Sequence, residues 1–186
     1  MGLPVFNFDD FSYEDCQTFI ESLCVRESEK QKLVYLSSPL YKGEGNWHSL
    51  FQSDHRIKYI NPKRWFTSNS EKLVFMDKLA IRTCDYVVAY IPKLSAGASM
   101  EILYAKQKMK PVYAIIKEDL VSPWHIAHCK DIKMFSCSFF SNSLYKAKPL
   151  FKEVQDMLIK EIENKYIMKD LSLIHISEPT RHWAIS

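Results

Sequence analysis

The chain has 186 residues, a length that fits one domain of ordinary size whose core needs no metal or disulfide to hold it. Hydrophobic residues make up 47% and charged residues 25%, as in a soluble globular protein. The 25 basic and 22 acidic residues are scattered along the chain, and a net charge of +3 is too weak to indicate a nucleic-acid or anionic-lipid partner.

The cysteines point to a reducing compartment. They are five in number, form no C-x-x-C pair and lie mostly among apolar residues, which favours buried thiols. They are Cys16, Cys24, Cys84, Cys129 and Cys137. No apolar run approaches the length of a membrane span, and the N-terminus lacks the basic region and apolar core of a signal peptide. We therefore expect a cytoplasmic protein without membrane or nucleic-acid partners.

The first predicted element is an amphipathic helix over residues 12–24. Ser12 is suited to cap this helix, because Asp15 stands at the third helical position and can complete a capping box. A charged stretch separates the helix from LVYLSS (33–38), which predicts a short strand. A loop or a very short helix is expected next, and IKYINP (57–62) predicts a second strand that ends at its proline.

The rest of the chain alternates helices and strands. Helical patterns cover 70–84, 98–109 and 144–168, and strand patterns cover 85–92, 111–116 and 131–136. Short strands that are apolar on both sides and alternate with helices indicate a parallel sheet with both faces covered. The sequence therefore predicts a doubly wound, Rossmann-like α/β fold, with a mostly parallel five-stranded sheet and helices on both faces.

The predicted organisation has four parts. They are an N-terminal helical extension (1–32), an α/β domain (33–145), a C-terminal helix packed on that domain (146–170) and a tail (171–186). The tail begins with LSLIHISEPTR, which resembles the translation of an adapter used in DNA sequencing libraries. We predict that this tail is not native and that the gene was read from a metagenomic fragment, which leaves the natural C-terminus open. The alternative is a natural tail.

Ligands of doubly wound folds bind at the carboxyl ends of the strands, near the point where the strand order reverses. This rule selects three loops, at 37–46, 61–65 and 93–98. Gly97 lies in the last loop, where a glycine allows a sharp turn or a close approach to a ligand. The residues around Gly97 are small, which leaves the floor of the crevice open.

Two carboxylates stand out as candidates for chemistry. Glu101 is expected in the first turn of the helix that follows the strand over 85–92, where the alternative to a functional role is a favourable interaction with the helix dipole. Asp77 falls within the apolar face of the helix over 70–84, and a carboxylate there is costly without a partner or a task. Two carboxylates in one cleft suit the roles of nucleophile and general acid at a glycosidic carbon.

A metal site is a weaker interpretation. His125, His128 and Cys129 could ligate a metal, but no second group of ligands accompanies them, so capping or packing roles are favoured. We expect no metal and no organic cofactor. The sequence also contains no G-x-G-x-x-G motif, P-loop or nucleophile elbow.

Three segments together resemble the nucleoside 2-deoxyribosyltransferase family and its nucleoside 5′-monophosphate N-glycosidase relatives. They are KLVYLSSP (32–39), MDKLAIRTCDYVVAYIP (76–92) and SAGASMEILYAKQKMKPVYAII (95–116). The resemblance covers about residues 32–136 and implies that Glu101 is the nucleophile at C1′. It further implies that Asp77 assists the departing base as acid and that Tyr35 orients the nucleophile.

The expected substrate is a small-molecule nucleoside or nucleotide. The residues expected to bind it are Ser37, Ser38, Pro39, Asn61, Ser95, Gly97, Ser99 and His125. The family members that act on free nucleosides carry an acidic residue two positions before the glycine. This chain has Ser95 there, as the nucleotide-cleaving branch does.

The resemblance also implies an assembly of subunits. The transferases borrow an asparagine from a neighbouring subunit, and this chain offers His125 at or near the corresponding place. We therefore expect a homo-oligomer, a dimer or larger. The predicted activity is cleavage or transfer at the N-glycosidic bond through a glycosyl-glutamate intermediate. The alternative is a sensor or sponge that binds a nucleotide or cyclic nucleotide without cleaving it.

Overall fold

The computed structural model describes residues 4–39, 47–137 and 143–176, with side chains as far as residue 167. The strands are β1 (Phe6–Asn7), β2 (Lys32–Ser37), β3 (Ile57–Ile60), β4 (Trp65–Phe66), β5 (Tyr86–Ile91), β6 (Val112–Lys117) and β7 (Asp131–Phe135). The helices are α1 (Tyr13–Leu23), α2 (Ser70–Thr83), α3 (Ala96–Gln107), α4 (Pro123–His128) and α5 (Ser143–Ile176). Short 3₁₀ turns form at Trp47–Leu50, Pro62–Arg64 and Glu118–Leu120.

Five strands form one parallel sheet in the order β3-β2-β5-β6-β7. This order confirms the predicted doubly wound α/β fold. The chain starts the sheet at β2, adds β3 on one side and then returns to add β5, β6 and β7 on the other. The strand order therefore reverses between β2 and β5, where such folds bind their ligands.

The two faces of the sheet bury different sets of side chains. Along β2, Leu33 and Tyr35 lie in the core beneath α1, α2 and α3, whereas Val34 and Leu36 lie in the core beneath α5. All four are at most 1% exposed. The alternation follows from the two-residue period of a strand, and burial of both sets explains why the strand reads as an unbroken apolar run.

The N-terminal extension forms the predicted helix and one feature that the pattern did not indicate. The Ser12 hydroxyl and the Asp15 carboxylate form the capping box of α1, as predicted. The residues before α1 add β1, which pairs in parallel with β4 to make a separate two-stranded sheet. The Nζ of Lys72 holds the same segment, because it donates to three of its backbone carbonyls at 2.8–2.9 Å.

The strands of the five-stranded sheet and the helix α2 begin and end within two residues of their predicted bounds. The helix α4 was not predicted, and most of the loop expected between β2 and the first 3₁₀ turn, residues 40–46, lies outside the described residues. The backbone of α5 continues through residues 171–176, so six residues of the predicted tail extend the last helix. None of the helices formed by the described residues combines the length and apolarity needed to cross a bilayer.

Candidate active site

A cavity of about 620 Å³ opens between α2 and α3, beside the carboxyl ends of β2 and β5. Ser38 and Pro39, which follow β2, form one edge of it, and residues 95–98 form another. The cavity therefore lies at the point where the strand order reverses, as the fold rule predicts. Two of the three predicted loops contribute to its lining.

Glu101 reaches this cavity from α3 and is held by two hydroxyl groups of β2. The Tyr35 hydroxyl donates to Oε1 at 3.2 Å, and the Ser37 hydroxyl donates to Oε2 at 2.5 Å. Tyr35 and Ser37 are two positions apart on one strand, so their side chains point to the same face of the sheet. Both oxygens of the carboxyl group therefore accept a hydrogen bond, which stabilises its charged form.

Asp77 lines the same cavity from α2. Its Oδ1 accepts a hydrogen bond from the indole Nε1 of Trp65 at 3.1 Å. The buried Tyr35 hydroxyl interacts with Asp77 as well as with Glu101, so one phenol links the two carboxyl groups. The structure thus brings the three predicted catalytic residues together, although they come from three different elements.

Burial dominates the electrostatics of this pair. It raises the pKa of Asp77 to about 6 and, together with the negative charge of Asp77, raises the pKa of Glu101 to about 8. The hydrogen bonds from Trp65, Tyr35 and Ser37 act in the opposite direction. Close carboxyl groups of this kind titrate as a pair, so near neutral pH the two hold about one proton between them. The same environment raises the pKa of Tyr35, which stays a neutral donor.

A pair that shares one proton can do two kinds of work in one cavity. The ionised carboxylate can attack an electrophilic carbon, and the protonated one can give its proton to a leaving group. Most of the surrounding wall is apolar. Leu73, Val74 and Ile81 line it from α2, and Met100, Leu103 and Tyr104 line it from α3. Few polar groups within an apolar wall are typical of a small-molecule site.

Glu101 lies beyond the first turn of its helix, contrary to prediction. The Oγ of Ser95 accepts a hydrogen bond from the backbone N–H of Ala98 at 3.2 Å, so α3 begins at Ala96, two residues earlier than predicted. Glu101 is then the sixth helical residue, beyond the first turn in which the helix dipole acts. The helix dipole therefore does not account for a glutamate at this position.

Of the two roles expected for Gly97, a sharp turn or a close approach to a ligand, the structure does not form the sharp turn. Gly97 lies in the first turn of α3 without a positive φ, and a Cβ added there would meet only the Ser95 hydroxyl, at 3.9 Å. An ordinary helical backbone requires no glycine at this position. What Gly97 contributes is the absence of a side chain at the edge of the cavity.

Three other residues predicted to bind substrate are engaged elsewhere. Asn61 caps the turn at Pro62–Arg64, with Oδ1 accepting from the Lys63 N–H at 2.9 Å. Ser99 donates to the Ser95 carbonyl at 3.0 Å. Neither side chain lines the cavity.

His125 is the third of these residues. It is 7% exposed, and its ring forms a capping box with Ser122 at the start of α4. Its Nε2 lies 3.5 Å from the Ser99 hydroxyl, which ties α4 to α3. The ring is therefore used within its own chain, in the capping role that was the alternative to metal binding. Across the described ranges, no three His, Cys, Asp or Glu side chains are grouped so that they could hold a metal ion.

Sequence reasoning missed Trp65 and most of the cavity wall. Trp65 lies in the predicted loop at 61–65, the one that does not line the cavity, and its indole Nε1 donates to the carboxylate of Asp77. The wall could have been inferred from helical spacing, because Leu73 and Ile81 stand four residues on either side of Asp77. The contact between Trp65 and Asp77 joins two different elements, so no periodic spacing in the sequence indicates it.

Comparison with models of known protein families gives no match, and comparison with curated proteins gives none either. The function must therefore be argued from the chemistry of the site.

Proposed function

We propose that the protein cleaves, or transfers across, the N-glycosidic bond of a nucleoside or nucleoside 5′-monophosphate, as the nucleoside 2-deoxyribosyltransferase family does. The observation that carries the proposal is the convergence of Glu101 and Asp77 on one cavity, with the Tyr35 hydroxyl linked to both. This arrangement supplies a nucleophile and an acid without any other group.

In the first step, an oxygen of Glu101 attacks C1′ and the bond between C1′ and the base nitrogen breaks. The electron pair of that bond leaves with the base, and the proton on Asp77 neutralises it. The product is a glycosyl ester of Glu101, a free base and an ionised Asp77. The donors Tyr35 and Ser37 orient Glu101 for the attack.

In the second step, water attacks C1′ from the face that the base has left. Asp77 takes up the proton of the water, and Glu101 departs as a carboxylate. Two displacements at one carbon return the original configuration, as in retaining glycosidases. A second base in place of water would make the reaction a transfer. Both steps use only carboxylates, so the mechanism requires neither a metal nor an organic cofactor.

The cavity suits a nucleoside with a 5′-phosphate. Its volume of about 620 Å³ lies within the range of small-molecule sites. The apolar walls of α2 and α3 would contact the base. Ser38 and Ser95 would face the sugar and phosphate at the other end, where the N-terminus of α3 favours a negative charge.

One observation favours the alternative, a protein that binds a nucleotide without cleaving it. The raised pKa of Glu101 would leave much of this side chain protonated at neutral pH before a substrate binds, and a neutral carboxyl group is suited to hold ribose hydroxyls. Cleavage requires that the proton of the pair resides on Asp77 when the substrate is bound. The two hydroxyl donors on Glu101 stabilise its anion and support that distribution.

The test is to incubate the protein with a panel of nucleosides and their 5′-monophosphates and to measure free base by chromatography. We expect base release from at least one compound and none with Glu101→Gln, which keeps the shape but removes the nucleophile. Glu71→Gln, at an exposed glutamate in the first turn of α2, is the matched control and should keep full activity. Recovery of every nucleotide intact from a tight complex would instead identify a binding protein.

A further inference from the structure

Trp65 contacts the candidate acid without reaching the cavity. Its ring is 2% exposed and lies in the core beneath α1, α2 and α3. Its only polar atom, Nε1, donates to Oδ1 of Asp77 at 3.1 Å. An indole N–H is a donor that cannot give up its proton at ordinary pH, so it can act on the reaction only through Asp77.

The N-terminal segment holds Trp65 in place. Among the described residues, β4 has no strand partner other than β1, and the pairing sets Phe6 opposite Trp65. The backbone N–H of Phe8 then donates to the Phe66 carbonyl at 2.8 Å, immediately after Trp65. The three hydrogen bonds from Lys72 tie the same segment to the helix that carries Asp77. The segment thus joins the strand of Trp65 to the helix of Asp77.

We propose that Trp65 is the positioning residue of Asp77 and that the strand β1 keeps it in register. The role of Asp77 as an acid rests on the proposed function, whereas the contact between Trp65 and Asp77 does not. By holding Oδ1, the indole restricts rotation of the carboxyl group about its last bond and favours the ionised form that must re-form after each proton transfer.

The other groups around Asp77 do not replace this contact. Tyr35 faces it from β2 but also donates to Glu101, and Glu101 faces it from α3 as a second acid. Lys78, the next residue on α2, lines the cavity and is exposed to solvent. Trp65 is therefore the one donor among these neighbours that the structure shows bonded to Asp77 and not to Glu101.

The first test needs no substrate. A protonated carboxyl group quenches a neighbouring indole more strongly than a carboxylate does, so the fluorescence of the full chain should change as Asp77 ionises. We expect a transition between about pH 5 and pH 8 in the wild type that is absent in Asp77→Asn and in Trp65→Phe. Trp47→Phe is the matched control and should keep the transition. Trp47 is also buried, at 1% exposed, but it lies in the core on the other face of the sheet. A transition that persists in Asp77→Asn would overturn the proposal, even if Trp65→Phe fails to fold.

The second test uses the reaction. The hydrogen bond from Trp65 lowers the pKa of Asp77, so its loss should raise that pKa. In the pH profile of kcat/KM for base release, the basic limb, which reports Asp77 as the acid, should therefore move to higher pH by about half a unit to one unit in Trp65→Phe. The acidic limb should stay in place. A purely structural role would lower the profile at all pH values without moving a limb, as we expect for Trp47→Phe, and would overturn the proposal. If the wild type releases no base from any nucleotide, the proposed function fails, and the fluorescence titration still decides the role of Trp65.

Discussion

The hydroxyl of Tyr35 donates to Oε1 of Glu101 at 3.2 Å, although the two residues are 66 positions apart in the chain. Tyr35 is fully buried in β2, and Glu101 comes from the second turn of α3. The contact forms because β2 and β5 are neighbours in the sheet and α3 crosses back over them after β5. The rigid core of the fold thus sets the orientation of the candidate nucleophile.

Replacing Tyr35 with phenylalanine should slow base release while leaving the fold intact. The variant keeps the buried ring and removes the hydroxyl that donates to Glu101 and interacts with Asp77, so we expect kcat to fall about 10- to 100-fold. Steady-state kinetics with the best substrate of the panel measures this effect. Tyr113→Phe removes a buried hydroxyl on the opposite face of the sheet and is the matched control. An equal loss of activity in the two variants would show that Tyr35 acts through stability alone.

Glu101→Gln should stabilise the protein at high pH. The folded protein keeps a proton on Glu101 between pH 4.5, its ordinary pKa, and about pH 8, whereas the unfolded chain releases it. The folded state therefore binds more protons in this window, and stability falls as the pH rises through it. Solvent reaches the cavity, so we expect a modest gain for the variant at pH 9, about 1 to 2 kcal/mol or roughly 2 to 8 °C in Tm.

Thermal unfolding of the wild type and Glu101→Gln at pH 4 and pH 9 measures this gain. The two proteins should differ little at pH 4, because Glu101 is then protonated in both the folded and the unfolded state. Glu71→Gln, at an exposed position, should change Tm at neither pH. A wild type that is the more stable protein at pH 9 would contradict the prediction, because it would mean that the hydrogen bonds from Tyr35 and Ser37 outweigh the cost of burying the carboxylate.

The fold could be predicted because its signals are local. Strands such as β5 are apolar on both faces and alternate with helices, and the capping box of Ser12 and Asp15 marks the start of α1. Asp77 could be selected because a carboxylate on an apolar helix face is costly to bury unless it has a partner or a function. These signals are present in single windows of the sequence, without knowledge of the tertiary structure.

The rest of the site depends on contacts between residues on different elements, which no short stretch of the sequence contains. Trp65 reaches Asp77 only because β4 pairs with β1, and two-residue strands have no periodicity to detect. His125 was expected to bind substrate, yet the packing of α4 on α3 places its ring beside Ser99. The start of α3 was predicted too late because the capping role of Ser95 was not recognised.

We predict a homo-oligomer, a dimer or larger, in solution. Two apolar side chains beside the cavity, Val74 and Met100, are 48% and 62% exposed, and an assembly would cover them. Light scattering at micromolar concentration measures the mass, and activity across a dilution series shows whether the assembly is needed. A monomeric mass with undiminished base release would contradict the prediction.

Removing residues 171–186 should leave stability nearly unchanged. The described core contacts of α5 end before this tail, the last fully buried apolar side chain being Ile162. We expect Tm to change by no more than roughly 2 °C. The control is truncation after Lys160, which also removes Ile162 and the ion pairs of Glu161 and should destabilise the protein strongly. A large loss on removal of 171–186 alone would show that the tail belongs to the fold.

Replacing Ser95 with aspartate should reverse a preference for phosphorylated substrates. Ser95 is the N-cap of α3 and lines the cavity, and aspartate is an equally good N-cap, so the helix should start unchanged. The new carboxylate would repel a 5′-phosphate and could accept hydrogen bonds from the hydroxyls of a free sugar. In a partly desolvated cavity such a repulsion is on the order of 1 to 3 kcal/mol, or roughly 5- to 150-fold in relative kcat/KM.

The measurement is kcat/KM for one nucleoside and its 5′-monophosphate in the wild type, Ser95→Asp and Ser95→Asn. Asparagine has the shape of aspartate and also caps helices well, but it carries no charge. If charge decides the substrate, the ratio of the two kcat/KM values should change in Ser95→Asp and stay near the wild-type value in Ser95→Asn. The same change in both variants would indicate a steric effect. An unchanged ratio in Ser95→Asp would contradict the prediction, because it would mean that the phosphate does not lie beside the N-terminus of α3.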